Sequence, residues 1–367
     1  MSANAAVTGR RGAYIPSLDG WRTIAILWVM LSHNAVFHLG PISDIWVQQR
    51  GSRGVDLFFA LSGILICGRL LQEEKRSGAI SLKSFYVRRL FRIQPAALLF
   101  LAVLSVLLLT GVIYRLDVYR GSPWLTQLSA LLMMRNLWPK TFLFENSHFW
   151  SLSVEEHFYI FLPAFLIVCK RYRLTVMGVL LVVALIWRII YFMKPRGAEV
   201  FNRTDLCCGT ILLGCVFALA LAKANVRDFA VAYVQPWLAL LYAAGALVLV
   251  EIHHSRADYA LLISIYPLLI TATMLHAGSW TTRLLEWAPM RFVGRISYSL
   301  YLWQELFFDP YDPAPAGSFR THVVWCWIAA FACAIASYFL VETPLIRWGH
   351  KIARGFDVDA PAKKIAA

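Results

Sequence analysis

Ser17-Leu18-Asp19-Gly20-Trp21-Arg22-Thr23-Ile24-Ala25-Ile26-Leu27-Trp28-Val29-Met30-Leu31-Ser32-His33 reads as an apolar helix with an arginine at its entrance and a histidine inside it. On a helix turning about 100° per residue, the step from Arg22 to His33 returns the side chain to within about 20° of its starting direction, about 16 Å further along the axis. Both groups therefore face one way. Arg22 reaches one membrane surface while His33 lies about half-way through an apolar core about 30 Å thick. Taken singly, the arginine reads as a snorkelling anchor and the histidine as a hydrogen-bonding partner of a neighbouring helix. On one face, with Asp19 a turn before Arg22, they read as functional, because ionisable groups are costly inside a membrane.

The composition agrees with a membrane setting. Of 367 residues, 59% are hydrophobic and 15% charged, and the mean hydropathy of +0.60 lies outside the soluble globular range. The net charge of +14 would suit nucleic acid, but Lys and Arg fall mainly in short segments between apolar runs, so topology accounts for it and no nucleic-acid partner is expected. The seven cysteines form no Cys-x-x-Cys spacing and indicate neither zinc nor a disulfide framework; no metal site is expected. The first apolar run is too long for a signal-peptide core and is expected to stay as an anchor.

Apolar runs at about 22–39, 55–71, 95–114, 157–169, 174–193, 206–222, 236–251, 259–277, 292–308 and 323–341 predict an all-α polytopic bundle of about ten transmembrane helices. Basic residues concentrate around Arg10, Arg11 and Arg22, then at Arg69 to Arg92, then at Lys170, Arg171 and Arg173, which puts both termini in the cytoplasm. A single membrane domain over 1–350 is expected, followed by a polar and basic cytoplasmic tail at 351–367, without a fused extracytoplasmic domain. No repeat of fixed period is visible, which disfavours a transporter built from duplicated halves.

Two segments carry further chemistry. In Tyr86-Val87-Arg88-Arg89-Leu90-Phe91-Arg92-Ile93-Gln94-Pro95, Arg88 and Arg92 lie one helical turn apart with Arg89 beside them. Their guanidinium forks suit the phosphates of a nucleotide-derived donor at the cytoplasmic surface. His148-Phe149-Trp150-Ser151-Leu152-Ser153-Val154-Glu155-Glu156-His157-Phe158-Tyr159 opens the fourth span with two adjacent carboxylates. Helical geometry points these about 100° apart, so at most one is expected to face a given pocket. A carboxylate near a histidine fixes its tautomer and stabilises its protonated form, as a general base requires, and Glu155 is expected to meet His33. Ser153 is a plausible helix cap, and acidic residues are also favoured at a helix N-terminus for structural reasons alone.

Together these residues resemble the family 3 acyltransferases of bacterial membranes. The resemblance runs through Asp19-Gly20-x-Arg22 with His33, Gly54-Val55-Asp56-Leu57-Phe58-Phe59 with Leu61-Ser62-Gly63, and Arg88-Arg89-x-x-Arg92-Ile93-x-Pro95. It continues in Trp150-Ser151-Leu152-x-Val154-Glu155-Glu156-x-Phe158-Tyr159, Ser297-Tyr298-Ser299-Leu300-Tyr301-Leu302 and Glu342-x-Pro344. Singly each motif is weak, and six in order are specific. Gln304 departs from it, at a position where relatives often carry histidine.

The resemblance implies a multi-pass enzyme of the bacterial cytoplasmic membrane that moves an acyl group, commonly acetyl, from cytoplasmic acyl-CoA to a hydroxyl of a glycan or lipid-linked saccharide, with no bound cofactor. It points to Arg22 and His33 as essential and to Glu155 as the helix-four glutamate. The expected site is then catalytic His33, Glu155 and Arg22, with Arg88, Arg89 and Arg92 for the donor. Asp19, Trp150, Ser151, Ser153, Glu156, Tyr159, Tyr298 and Glu342 are expected to line the substrate pocket. His33 serves as base on the acceptor hydroxyl or as a transient acyl carrier. A proton-coupled transporter or flippase, with the buried Arg, His and Glu as a relay, is the rival reading, and a structural membrane component with inert buried charges is a third.

Overall fold

The computed structural model describes residues 14–33, 52–112, 122–137, 143–193, 202–253, 258–308 and 322–357. Among them every regular element is a helix and none is a strand. This is the outcome expected where a bilayer leaves no water to satisfy an open sheet edge. The first half contains α1 (Ser17–His33), α2 (Ser52–Ser77), α3 (Leu82–Leu109), α4 (Pro123–Leu131), α5 (Phe149–Val168) and α6 (Arg173–Met193). The second half contains α7 (Gly209–Leu221), α8 (Ala224–Tyr233), α9 (Pro236–His253), α10 (Asp258–Leu275), α11 (Trp280–Leu285), α12 (Ala288–Arg295), α13 (Ser297–Trp303), α14 (Val323–Ser337) and α15 (Thr343–Arg354).

Six of the described helices or helix runs are long and apolar enough to cross a membrane, or seven if α7 and α8, bent by 105°, are one broken span. That is fewer than the ten apolar runs suggest. α1 and α9 end at the edge of the described residues, and the run over 292–308 is broken at Ile296 into α12 and α13. Long apolar side chains on α6 face outward, among them Val179, Val182, Val183, Ile186 and Ile190. A face of that kind is stable against lipid rather than water.

Small residues set the packing at the centre. A Cβ on Gly214 of α7 would lie 2.7 Å from the carbonyl oxygen of Ala60 on α2, and Gly63 of α2 faces the α7 backbone at the same crossing. Only glycine allows two helices this close. Gly294 does the same for α12 against the backbone of Asp19. α1 is thereby clasped between α2 and the α12–α13 pair.

A five-residue π turn, Tyr338–Glu342, joins α14 to α15. Pro344 has no N–H to give to the carbonyl four residues back, so the regular ladder cannot pass through unchanged. Beyond it, α15 lies on the start of α3, where the rings of Phe91 and Trp348 meet edge to face with centroids 5.2 Å apart.

Candidate active site

A cavity of about 440 Å³ opens between α1, α2, α3, α5, α13 and the π turn. Arg22, Arg69, Arg89, Arg92, Arg295 and Arg347 line it, against the carboxylates of Asp19, Glu155, Glu156 and Glu342. Cations therefore exceed anions on its walls. Val55, Phe58, Phe59, Leu61, Leu65 and Ile66 of α2 supply an apolar side. Such a wall suits a ligand with an anionic head and an apolar stretch.

Several of its polar groups have partners that fix them. Arg22 donates to Asp19 at 2.9 Å, and the Tyr14 hydroxyl donates to the other oxygen of the same carboxylate. Partial burial and the Asp19 carboxylate together push the Tyr14 phenol above its ordinary range, so it remains a donor at neutral pH. Glu155 accepts from Ser62 at 2.9 Å and from Tyr159 at 2.6 Å, and the Arg89 guanidinium lies 4.9 Å over the Tyr159 ring. Ser299 donates to Glu342, and Tyr298 donates to the Ile93 carbonyl at 2.8 Å.

A second cluster gathers around His33 at the far end of α1. Its Nδ1 lies 2.9 Å from the side-chain oxygen of Gln304 and 3.9 Å from Oε1 of Glu305. The second oxygen of Glu305 accepts from Nδ1 of His148 at 2.6 Å and from the His148 backbone N–H at 3.1 Å. Ser147 donates to the same carboxylate at 3.2 Å. Glu305 and His148 are buried. The two regions are joined through Tyr301, a cavity residue that lies 2.6 Å from the Ser151 hydroxyl and donates to the His148 carbonyl at 3.3 Å.

The expected site residues divide accordingly. Asp19, Arg22, Arg89, Arg92, Ser151, Glu155, Glu156, Tyr159, Tyr298 and Glu342 line the cavity, whereas His33, Arg88, Trp150 and Ser153 do not. The expected pairing of Glu155 with His33 is not made: Glu155 lies about two turns along α5 from His148, level with the cavity, and Glu305 takes its place. Arg88 is directed away from the other two arginines to Ser84, Glu73 and Asp357, although on the helical wheel Arg92 lies between Arg88 and Arg89, about 40° from Arg88 and about 60° from Arg89; the carboxylates on α2 and after α15 draw it off the cavity.

Ser153 is not a cap. α5 begins at Phe149, so Ser153 falls in its second turn, where it donates to the Phe149 carbonyl at 2.8 Å and accepts from the Arg135 backbone at 3.2 Å. Trp150 backs the apolar wall, edge-on to Phe59 with centroids 6.1 Å apart. Glu155 and Glu156 both line the cavity, against the expectation that one pocket takes only one of them, because the cavity wraps α5 from α2 round to α13.

Arg69, Arg295, Arg347, Ser62, Tyr301, Glu305 and His148 were not among the expected site residues, and Gln304 was noted only as a departure from the family pattern. For Glu305 a signal existed, namely a carboxylate inside the apolar run at 292–308.

Fold and site together define a protein with several helices long enough to cross a membrane, holding an arginine-lined cavity beside a histidine–carboxylate pair. The family model for this arrangement is Acyl_transf_3, the acyltransferase domain, which matches residues 15–343. The chain belongs to that family. A Staphylococcus aureus (strain COL) protein named "Putative O-acetyltransferase" is 31% identical over 310 residues, covering 79% of this chain and 50% of that protein. The O-acetyltransferase OatA of Staphylococcus aureus (strain NCTC 8325 / PS 47) is 27% identical over 368 residues, covering 92% of this chain and 58% of OatA. The chain thus spans about half the length of the curated relatives it matches. No solved structure matches it.

Proposed function

We propose that this acyltransferase moves an acetyl group from cytoplasmic acetyl-CoA to a hydroxyl of a glycan or lipid-linked saccharide. In this reading it is an integral protein of the bacterial cytoplasmic membrane, crossing it ten times with both termini inside. The observation that carries the proposal is the arginine-lined cavity at the Arg22 end of α1 together with the His33–Glu305 pair at its other end. The names of the relatives favour acetyl as the acyl group.

Arg22, Arg69, Arg89 and Arg92 hold the donor's phosphates by charge-assisted hydrogen bonds. The long pantetheine arm of coenzyme A carries the thioester away from those phosphates, which is the separation that Arg22 and His33 require. With Nδ1–H of His33 donated to Gln304, its Nε2 keeps the lone pair. Nε2 takes the proton of the acceptor hydroxyl as the oxygen attacks the thioester carbonyl. The C–O bond forms, the C–S bond breaks, and the thiolate of coenzyme A leaves with the proton returned by His33. Glu305 balances the imidazolium in between, the role that sequence reasoning gave to Glu155.

The test is transfer of label from radiolabelled acetyl-CoA in membranes holding equal amounts of the wild type or of His33→Ala. Label in a saccharide or lipid fraction only with the wild type is the expected result. Equal labelling by both proteins would overturn the role of His33, and no labelling by either with a broad acceptor pool would overturn the activity.

A further inference from the structure

His148 sits where neither the donor cavity nor the acceptor chemistry, as proposed above, calls for a second histidine. It is buried, its imidazole packed among the rings of Phe100, Phe149 and Tyr301 with centroids 5.3, 4.9 and 5.4 Å away. Nδ1 reaches Glu305 at 2.6 Å, while Nε2 is buried without a hydrogen-bond partner. A ring in this setting has one polar duty, and it is directed at one oxygen of one carboxylate.

That carboxylate is shared. Oε2 of Glu305 is held by the side chain and backbone of His148, and Oε1 is left facing Nδ1 of His33 at 3.9 Å. The other polar groups around the pair are Ser147, which donates to Glu305, and Gln304, which takes the His33 Nδ1–H; Arg135, itself buried, is the nearby cation. Without the His148 imidazole the Glu305 carboxylate keeps the His148 backbone N–H and Ser147 but loses its shortest donor, at 2.6 Å, so the aim of its other oxygen at His33 is held less tightly. In a dry site a misdirected carboxylate is also poorly stabilised, because nothing replaces the lost hydrogen bond.

We propose that His148 is a positioning residue for the transfer reaction: it aims and holds Glu305, and through Glu305 it sets the histidine that takes the acceptor proton. This rests on the reading of His33 as the base. His148 meets neither donor nor acceptor, so its loss acts on turnover and leaves donor binding alone. The side-chain nitrogen of an asparagine superposes on imidazole Nδ1, whereas that of a glutamine superposes on Nε2, so the two amides separate the role from mere occupancy of space.

The experiment measures kcat and KM for acetyl-CoA in purified, detergent-solubilised wild type, His148→Asn, His148→Gln, Glu305→Gln and the double variant His148→Gln with Glu305→Gln. We expect His148→Asn to keep kcat within about fivefold and His148→Gln to lose about 100-fold, with KM in both within about twofold, as for lost support of a general base. The double variant is expected to be no slower than Glu305→Gln, since residues acting in series do not add.

Equal losses in the Asn and Gln variants, or a His148→Gln loss that multiplies in full onto that of Glu305→Gln, would overturn the positioning role. Wild-type kcat in His148→Gln would overturn it too, while leaving the proposed function standing. Absence of transfer by the wild type itself would instead remove that function and this inference with it. Both amides are close in size to imidazole, and a size-exclusion profile matching the wild type checks that they fold.

Discussion

The two ends of α1 solve different problems with similar residues. At the Arg22 end, six arginines and four carboxylates face one open cavity, and three of the carboxylates, Asp19, Glu155 and Glu342, are bonded to hydroxyls or to Arg22. At the His33 end, one buried carboxylate serves two histidines, with neutral amide and hydroxyl partners around it. The first arrangement presents several guanidinium donors to one open space. The second has a single carboxylate in a low-dielectric place, where each group is needed. Glu155 and Glu305 make the contrast concrete: both are acids within apolar helices, yet one fixes the shape of a binding wall and the other faces the histidine.

Substitutions can break this contrast in order of size. His33→Ala is expected to cost the most, at least about 1,000-fold in transfer, because it removes the group that takes the acceptor proton in the proposed mechanism; initial rates at saturating donor check it. Glu305→Gln should cost about 100-fold in kcat, and Glu155→Gln about tenfold, expressed chiefly in KM for acetyl-CoA. A larger kcat loss from Glu155 than from Glu305 would return the partner of His33 to the residue that sequence reasoning chose.

Arg92→Ala is expected to raise KM for acetyl-CoA about 10-fold or more with kcat little changed, the loss of one charge-assisted contact. Arg88→Ala should change KM by less than about twofold. Its partners Glu73 and Asp357 make a partly exposed tie between α2, α3 and the segment after α15, worth about 1 kcal/mol at most. Steady-state kinetics on the two alanine variants side by side, with thermal unfolding of each, decides between a donor site and a structural brace.

Much of this was legible where the information is local. The helical character of the chain follows from its apolar runs, and Asp19, Arg22, Arg89, Arg92, Glu155 and Tyr298 reach the cavity because each sits in a motif whose spacing fixes its face. Arg88 shows the limit of that reasoning, since it lies about 40° from Arg92 on the same helix and is nonetheless drawn to Glu73 and Asp357 as a brace. Glu305 shows the other limit. Its contact with His148 joins residues 157 positions apart, and that of Gln304 with His33 joins residues 271 apart, so only tertiary packing of the 304–306 segment against α1 and the start of α5 brings them together. Periodicity names the face of a helix but not the helix opposite.

The central claim is that binding belongs to the Arg22 end and proton transfer to the His33 end. Equilibrium binding of acetyl-CoA to purified wild type, His33→Ala and Arg92→Ala tests it most directly. The account predicts that His33→Ala binds acetyl-CoA within about twofold of the wild type while transferring nothing, and that Arg92→Ala binds at least about 10-fold more weakly. Loss of binding in His33→Ala, or unchanged binding in Arg92→Ala, would contradict it.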